Sequence, residues 1–121
     1  MQTKRTSMGI DGEEQVVRYL MNRGFTILAR NYAKFYGEID IIALKADVIA
    51  FVEVKTRSYH YLNPAEIITP SKQKKIIMTA HAFIASNNYE DKTYRFDVAF
   101  VTLIDETMSV EYIENAFNQI L

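Results

Sequence analysis

Asp40, Glu53 and Lys55 stand inside two of the most apolar runs of the chain, "GEIDIIAL" from Gly37 and "VIAFVEVKT" from Val48. Side chains on a strand alternate between its faces, so Glu53 and Lys55 share one face. A hairpin turn centred between Ala46 and Asp47 sets Asp40 opposite Glu53 and Glu38 opposite Lys55, which gathers Asp40, Glu53 and Lys55 on that face. A slip of one residue would break the opposition, and Ala-Asp is a poor two-residue turn.

Two neighbouring carboxylates repel each other and are costly to bury unless a cation neutralises them or one keeps a proton. A hard divalent ion such as magnesium resolves the conflict, because it is held by one or two carboxylates and completes its shell with water and phosphate oxygens. Asp40 and Glu53 suit that role, with the backbone carbonyl of Val54 as a further donor. Lys55 can reach a phosphate oxygen or a metal-bound water and stabilise the charge that develops as a phosphodiester is attacked. The same residues could instead form a cross-strand ion pair on a solvent-facing sheet, worth ~1 kcal/mol or less. "DII" and "FVEVK" read as nearly continuous buried strands, where lone charges are usually functional or paired, and that context favours the metal site.

The elements that must position these residues alternate in type. Val16, Val17, Leu20 and Met21 give a helical spacing over Gly9 to Arg23, closed by Gly24. "FTILARNY" and the run from Gly37 form a hairpin, and the run from Val48 pairs with the second strand across a short turn. Residues 58–69 have no clean period and include Pro64, so they read as a loop over the sheet. Thr69 caps a second helix with Pro70 at its first position and Ile76, Ile77, Ala80, Phe83 and Ile84 as its apolar stripe. "YRFDVAFVTLI" is a further strand, "MSVEYIE" a last one, and "NAFNQIL" a short terminal helix or tail. The principal order is α-β-β-β-α-β, an α/β domain with a mixed central sheet.

With 121 residues and no repeat or linker, the whole chain, 1–121, reads as one domain. The absence of cysteine excludes a disulfide scaffold and thiolate metal ligands. No signal peptide or membrane-spanning run is visible, which points to the cytoplasm. The formal net charge of -1 provides no overall basic field for nucleic acid, although "SKQKK" from Ser71 gathers three lysines.

Gly9, Gly12 and Glu13 as "GxxGE", "GEIDIIA" from Gly37, "FVEVKTR" from Phe51, "PAE" from Pro64, "TPSKQ" from Thr69 and "RFDV" from Arg95 together resemble the YraN family of uncharacterised bacterial proteins. That family is similar to archaeal Holliday-junction resolvases, within the PD-(D/E)xK, restriction-endonuclease-like superfamily. The resemblance implies a restriction-endonuclease-like core and a Mg2+- or Mn2+-dependent endonuclease acting on DNA, including branched or junction structures. Assembly as a homodimer would follow the related resolvases; a protein partner that supplies basic surface is a further alternative. Asp40 and Glu53 match the metal-binding acids, Lys55 the catalytic lysine, and Glu13 the helix-one glutamate beside the metal. Lys72 and Gln73 match the start of the second long helix, Lys72 as a phosphate ligand and Gln73 as an amide aimed at the site; ordinary helix-surface decoration is their alternative. "YHYLN" and Ile67 depart from the family pattern before and after "PAE". Tyr59, His60 and Tyr61 could stack on bases or simply pack at the domain edge. His81 reads as structural, and Asp97 as an anchor paired with Arg95. A non-catalytic nucleic-acid or protein-binding module that keeps the nuclease fold is the competing reading.

Overall fold

A computed structural model describes residues 4–57 and 68–118. Helix α1 (Lys4–Asn22) leads into strands β1 (Thr26–Lys34), β2 (Gly37–Lys45) and β3 (Val48–Arg57). Helix α2 (Pro70–Ser86) and strands β4 (Thr93–Ile104) and β5 (Thr107–Phe117) follow. The expected loop over residues 58–69, with "YHYLN", "PAE" and Ile67, lies outside the described residues apart from its last two positions.

Both helices end by the same device. Gly24 (φ 92°) follows α1, with the Gly24 and Phe25 N–H groups donating to Met21 and Leu20 at 3.0 Å. After α2, Asn88 (φ 58°) takes the glycine's place and Tyr89 N–H donates to Ile84 O at 3.0 Å. Each arrangement satisfies carbonyls that a helix end leaves unpaired. At the start of α2, Thr69 Oγ1 accepts from Lys72 N–H at 3.2 Å and Pro70 occupies the first turn.

The five strands run in spatial order β1-β2-β3-β4-β5, all antiparallel except β3 with β4. Helix α2 makes the crossover between those parallel partners, and the sheet separates two cores. Val16, Val17 and Leu20 of α1 pack on Ile41, Ala43, Ala50, Val52, Ala99 and Val101. Ile76, Ile77, Ala80, Phe83 and Ile84 of α2 pack on Ile39, Ile42, Ile49, Phe51, Phe96 and Val98. Strand β3 alternates cleanly between these cores, as a strand buried on both faces must.

The observed order, α-β-β-β-α-β-β, extends the expected one, and "NAF" continues β5 rather than turning into a helix or tail. The reason is a register shift between Phe96 and Val98. Asn115 takes a left-handed conformation (φ 53°) and donates its N–H to the buried Asp97 carboxylate at 3.0 Å, so the strand bulges and then re-pairs. Phe117 resumes beside Phe96, their rings stacked at 5.2 Å. Asp97, fully buried, also accepts from Arg95 Nε at 3.0 Å and from Tyr112 OH at 2.5 Å. Three donors make it the structural anchor the sequence suggested. Burial, and after it the charge of Asp97, pushes the Tyr112 hydroxyl well above the usual tyrosine range. His81 likewise meets Tyr94 OH at 3.4 Å within the fold.

Candidate metal and phosphate site

The β2–β3 ladder runs from Lys45↔Val48 to Ile41↔Val52, which fixes the turn at Ala46–Asp47. Continued one step, that register sets Asp40 against Glu53, but the main-chain ladder stops before it. At this point β2 also loses its alternation: Ile39 and Ile42 belong to the α2-side core, Ile41 and Ala43 to the α1-side core. On the other flank Asn31, between the pairs Arg30↔Ile41 and Tyr32↔Ile39, is left-handed at φ 52°. Asp40 occupies the break. Its Oδ2 accepts the Val54 N–H at 2.8 Å, replacing a strand carbonyl as that donor's partner. Val54, expected to offer its carbonyl, therefore meets Asp40 through its amide.

Glu53 projects toward α2 and is 8% exposed. Its Oε2 lies 2.9 Å from Lys72 Nζ and 3.5 Å from Lys55 Nζ. Asp40, Glu53 and Lys72, with Gly37, Glu38, Lys75 and Ile76, line a cavity of about 260 Å³. Gly37 is required where it stands, because a Cβ there would meet Thr79 Oγ1 at 2.6 Å and the Lys75 carbonyl at 2.9 Å. Strand β2 and helix α2 thus close on each other through a position with no side chain.

Burial and then the charge of Glu53 push the Asp40 carboxyl up to about 7, against the Val54 hydrogen bond, while Glu13 and Glu38 add to the rise. Burial pushes the Lys55 ammonium down despite the opposing pull of Glu53. For Lys72 burial also acts downward, but the hydrogen bond and charge of Glu53 outweigh it and the net shift is up.

Glu13 sits on the α1 side. Its Oε1 accepts from Asn31 Nδ2 at 3.4 Å and lies 3.7 Å from Arg30. Its charge reaches Asp40, yet it does not line the cavity. The helix can approach β3 closely here because Gly12 has no side chain; a Cβ on this buried residue would collide with Thr56 Oγ1. Gln73 does not line the cavity; its Nε2 donates to Ile68 O at 2.8 Å, which ties the start of α2 to the preceding segment. Lys75 and Glu38 were not singled out for the cavity from sequence. Lys75 lies three residues after Lys72, a helical spacing that places both on one face.

Among the described residues, no group of three or more acidic or histidine side chains gathers closely enough to hold an ion. Asp40 and Glu53 nevertheless fit a hard divalent cation: both are oxygen donors lining one cavity, and burial, followed by the charge of Glu53, raises the Asp40 carboxyl to about 7, a penalty on its charged form that a cation would relieve.

A five-stranded mixed sheet between two helices, with an acid–lysine cluster where β2 and β3 part, defines the class as an α/β protein. The chain belongs to the uncharacterised protein family UPF0102, whose model matches residues 12–101 and so spans Glu13, Asp40, Glu53, Lys55 and Lys72. It is 42% identical over 114 residues to a UPF0102 protein of Chloroherpeton thalassium, covering 93% of this chain and 84% of that one. A UPF0102 protein of Alkaliphilus oremlandii is 42% identical over 113 residues, covering 91% and 97% of the two chains. One from Clostridium botulinum strain Hall is 46% identical over 114 residues, covering 91% and 93%.

Proposed function

We propose that this protein is a Mg2+- or Mn2+-dependent endonuclease with a restriction-endonuclease-like core, hydrolysing DNA phosphodiester bonds and including branched or junction DNA among its substrates. The observation that carries the reading is the convergence of Asp40, Glu53 and Lys72 on one cavity, with Lys55 on the same Glu53 oxygen. Asp40 and Glu53, with the Val54 carbonyl, would hold the ion; when bound, it supplies an activated water and neutralises charge on the attacked phosphate. Lys55 and Lys72 orient phosphate oxygens and offset developing negative charge once Glu53 has another partner. Val54 N–H keeps Asp40 in place, and Glu13 holds Asn31 beside it.

The test is cleavage of linear, nicked and four-way-junction DNA with either metal, with Asp40→Ala and Lys55→Ala purified in parallel. Metal-dependent cleavage lost in both variants supports the reading; a folded protein that cuts none of the substrates overturns it.

A second reading, a non-catalytic nucleic-acid or protein-binding module, draws on the pairing of Glu53 with two lysines, which already neutralises one acid internally. Calorimetry with millimolar Mg2+ or Mn2+ separates the two: binding by the native chain and not by Asp40→Ala belongs to the nuclease.

A further inference from the structure

The β1–β2 hairpin closes at the pair Lys34↔Gly37, leaving Phe35 and Tyr36 as its turn. Phe35 is 99% exposed, the most exposed of the large apolar side chains among the described residues. Turn chemistry does not account for it, since tight hairpins favour glycine, asparagine and aspartate. The tip is rooted on both sides. Tyr32 packs edge-on against Phe83 at 5.1 Å, and Gly37 lies against Thr79 and the Lys75 carbonyl. Between those anchors the two aromatic rings meet at 5.0 Å and 80°.

The residues that follow the tip, Gly37 and Glu38, line the cavity. Two strand residues span ~7 Å, about one phosphate-to-phosphate step of an extended single strand or two axial rises of a stacked one. Lys34 and Lys75 flank this path, and among the described residues neither pairs with a carboxylate. An exposed ring beside cations is the combination that binds single strands, where each base offers a π-face and each phosphate a charge.

From this arrangement we propose that Phe35, backed by Tyr36, is a stacking platform for an unpaired nucleobase one or two nucleotides from the phosphate held in the cavity. The proposal rests on the nuclease reading only for which phosphate that is. It makes DNA with unpaired bases next to the target bond the preferred ligand, and fully paired duplex a poor one.

The chain contains no tryptophan, so Phe35→Trp introduces a single reporter at the tip. Without added metal, its emission should be quenched by a thymidine oligomer and by a bulged duplex at least tenfold more readily than by a perfectly paired duplex of equal length. Phe35→Ala should weaken oligomer binding roughly 5- to 150-fold, while Phe35→Tyr keeps it. Equal quenching by paired and unpaired DNA, no quenching, or emission that changes with protein concentration alone overturns the proposal; the last would mark the tip as a self-association contact. Cleavage by the same preparations in Mn2+ keeps the two readings apart. If Phe35→Ala cuts bulged DNA as the native protein does, the platform fails and the nuclease stands. If the native protein stacks unpaired bases through residue 35 but cuts nothing, the nuclease fails and the platform stands.

Discussion

One oxygen of Glu53 holds two ammonium groups, Lys72 at 2.9 Å and Lys55 at 3.5 Å. Lys72 comes from α2 and Lys55 from β3, so the pairing joins helix to sheet at the rim of the cavity. A cation entering beside Asp40 must compete with Lys72 for that oxygen. Lys72→Met should therefore tighten Mn2+ binding by about tenfold, since two like charges a few ångströms apart repel by more than that even in a well-screened site. The same change should weaken DNA binding. Calorimetry for the ion and a filter assay for DNA would read the two opposite shifts.

Asp40 makes stability depend on pH in an unusual direction. Its carboxyl is raised from 3.8 to about 7, so below pH 4 both folded and unfolded chains carry the proton and no penalty exists. Between pH 4 and 7 the unfolded chain releases the proton while the folded chain keeps it, and stability falls as pH rises. Metal-free Asp40→Asn should lose this component of the slope, visible as the difference between its melting temperatures and those of the native protein across that window. Mn2+ should stabilise the native protein more at pH 8 than at pH 5, where the proton competes.

Gly37→Ala tests the closure of β2 on α2. The added methyl meets a backbone carbonyl, which cannot swing aside as a side chain tip could. A loss of about 1–3 kcal/mol in denaturant unfolding is expected, as for overpacked cores, together with weaker Mn2+ binding because the cavity walls separate. Unchanged stability would mean the two elements are free to move apart.

Ala46 turns the β2–β3 hairpin with φ 54°, a conformation that costs an L-residue roughly 1 kcal/mol. Ala46→Gly should raise stability by about 0.5–1 kcal/mol without altering metal binding. An increase in denaturation midpoint at constant slope would show it.

Much of this fold could be read from residue order. The helix caps at Thr69-Pro70 and Gly24, the alternation along β3 and the turn at Ala46–Asp47 are local patterns, and local physics decided them. Asp40 was singled out from the sequence as a candidate, but its placement at a break in β2, accepting the Val54 N–H, was not legible. Period two assumes an unbroken strand, and β2 breaks its alternation between Ile39 and Ile41. The grip of Lys72 on Glu53 depends on how α2 lands on the sheet, which no spacing within either segment encodes. "NAF" looked helical or loose because the bulge that holds it depends on Asp97, eighteen residues away.

Asn31 and Asn115, the left-handed residues opposite Asp40 and beside Asp97, both lie on edge strands, β1 and β5. β1 carries a second irregularity between Ile27 and Ala29. At these points the edges present no regular row of donors and acceptors to another strand. The sheet is thus protected against growth at both margins, which guards the chain from fibre-like stacking. Two copies of the chain brought together would accordingly meet through helices or loops, not through a continuous sheet shared between them.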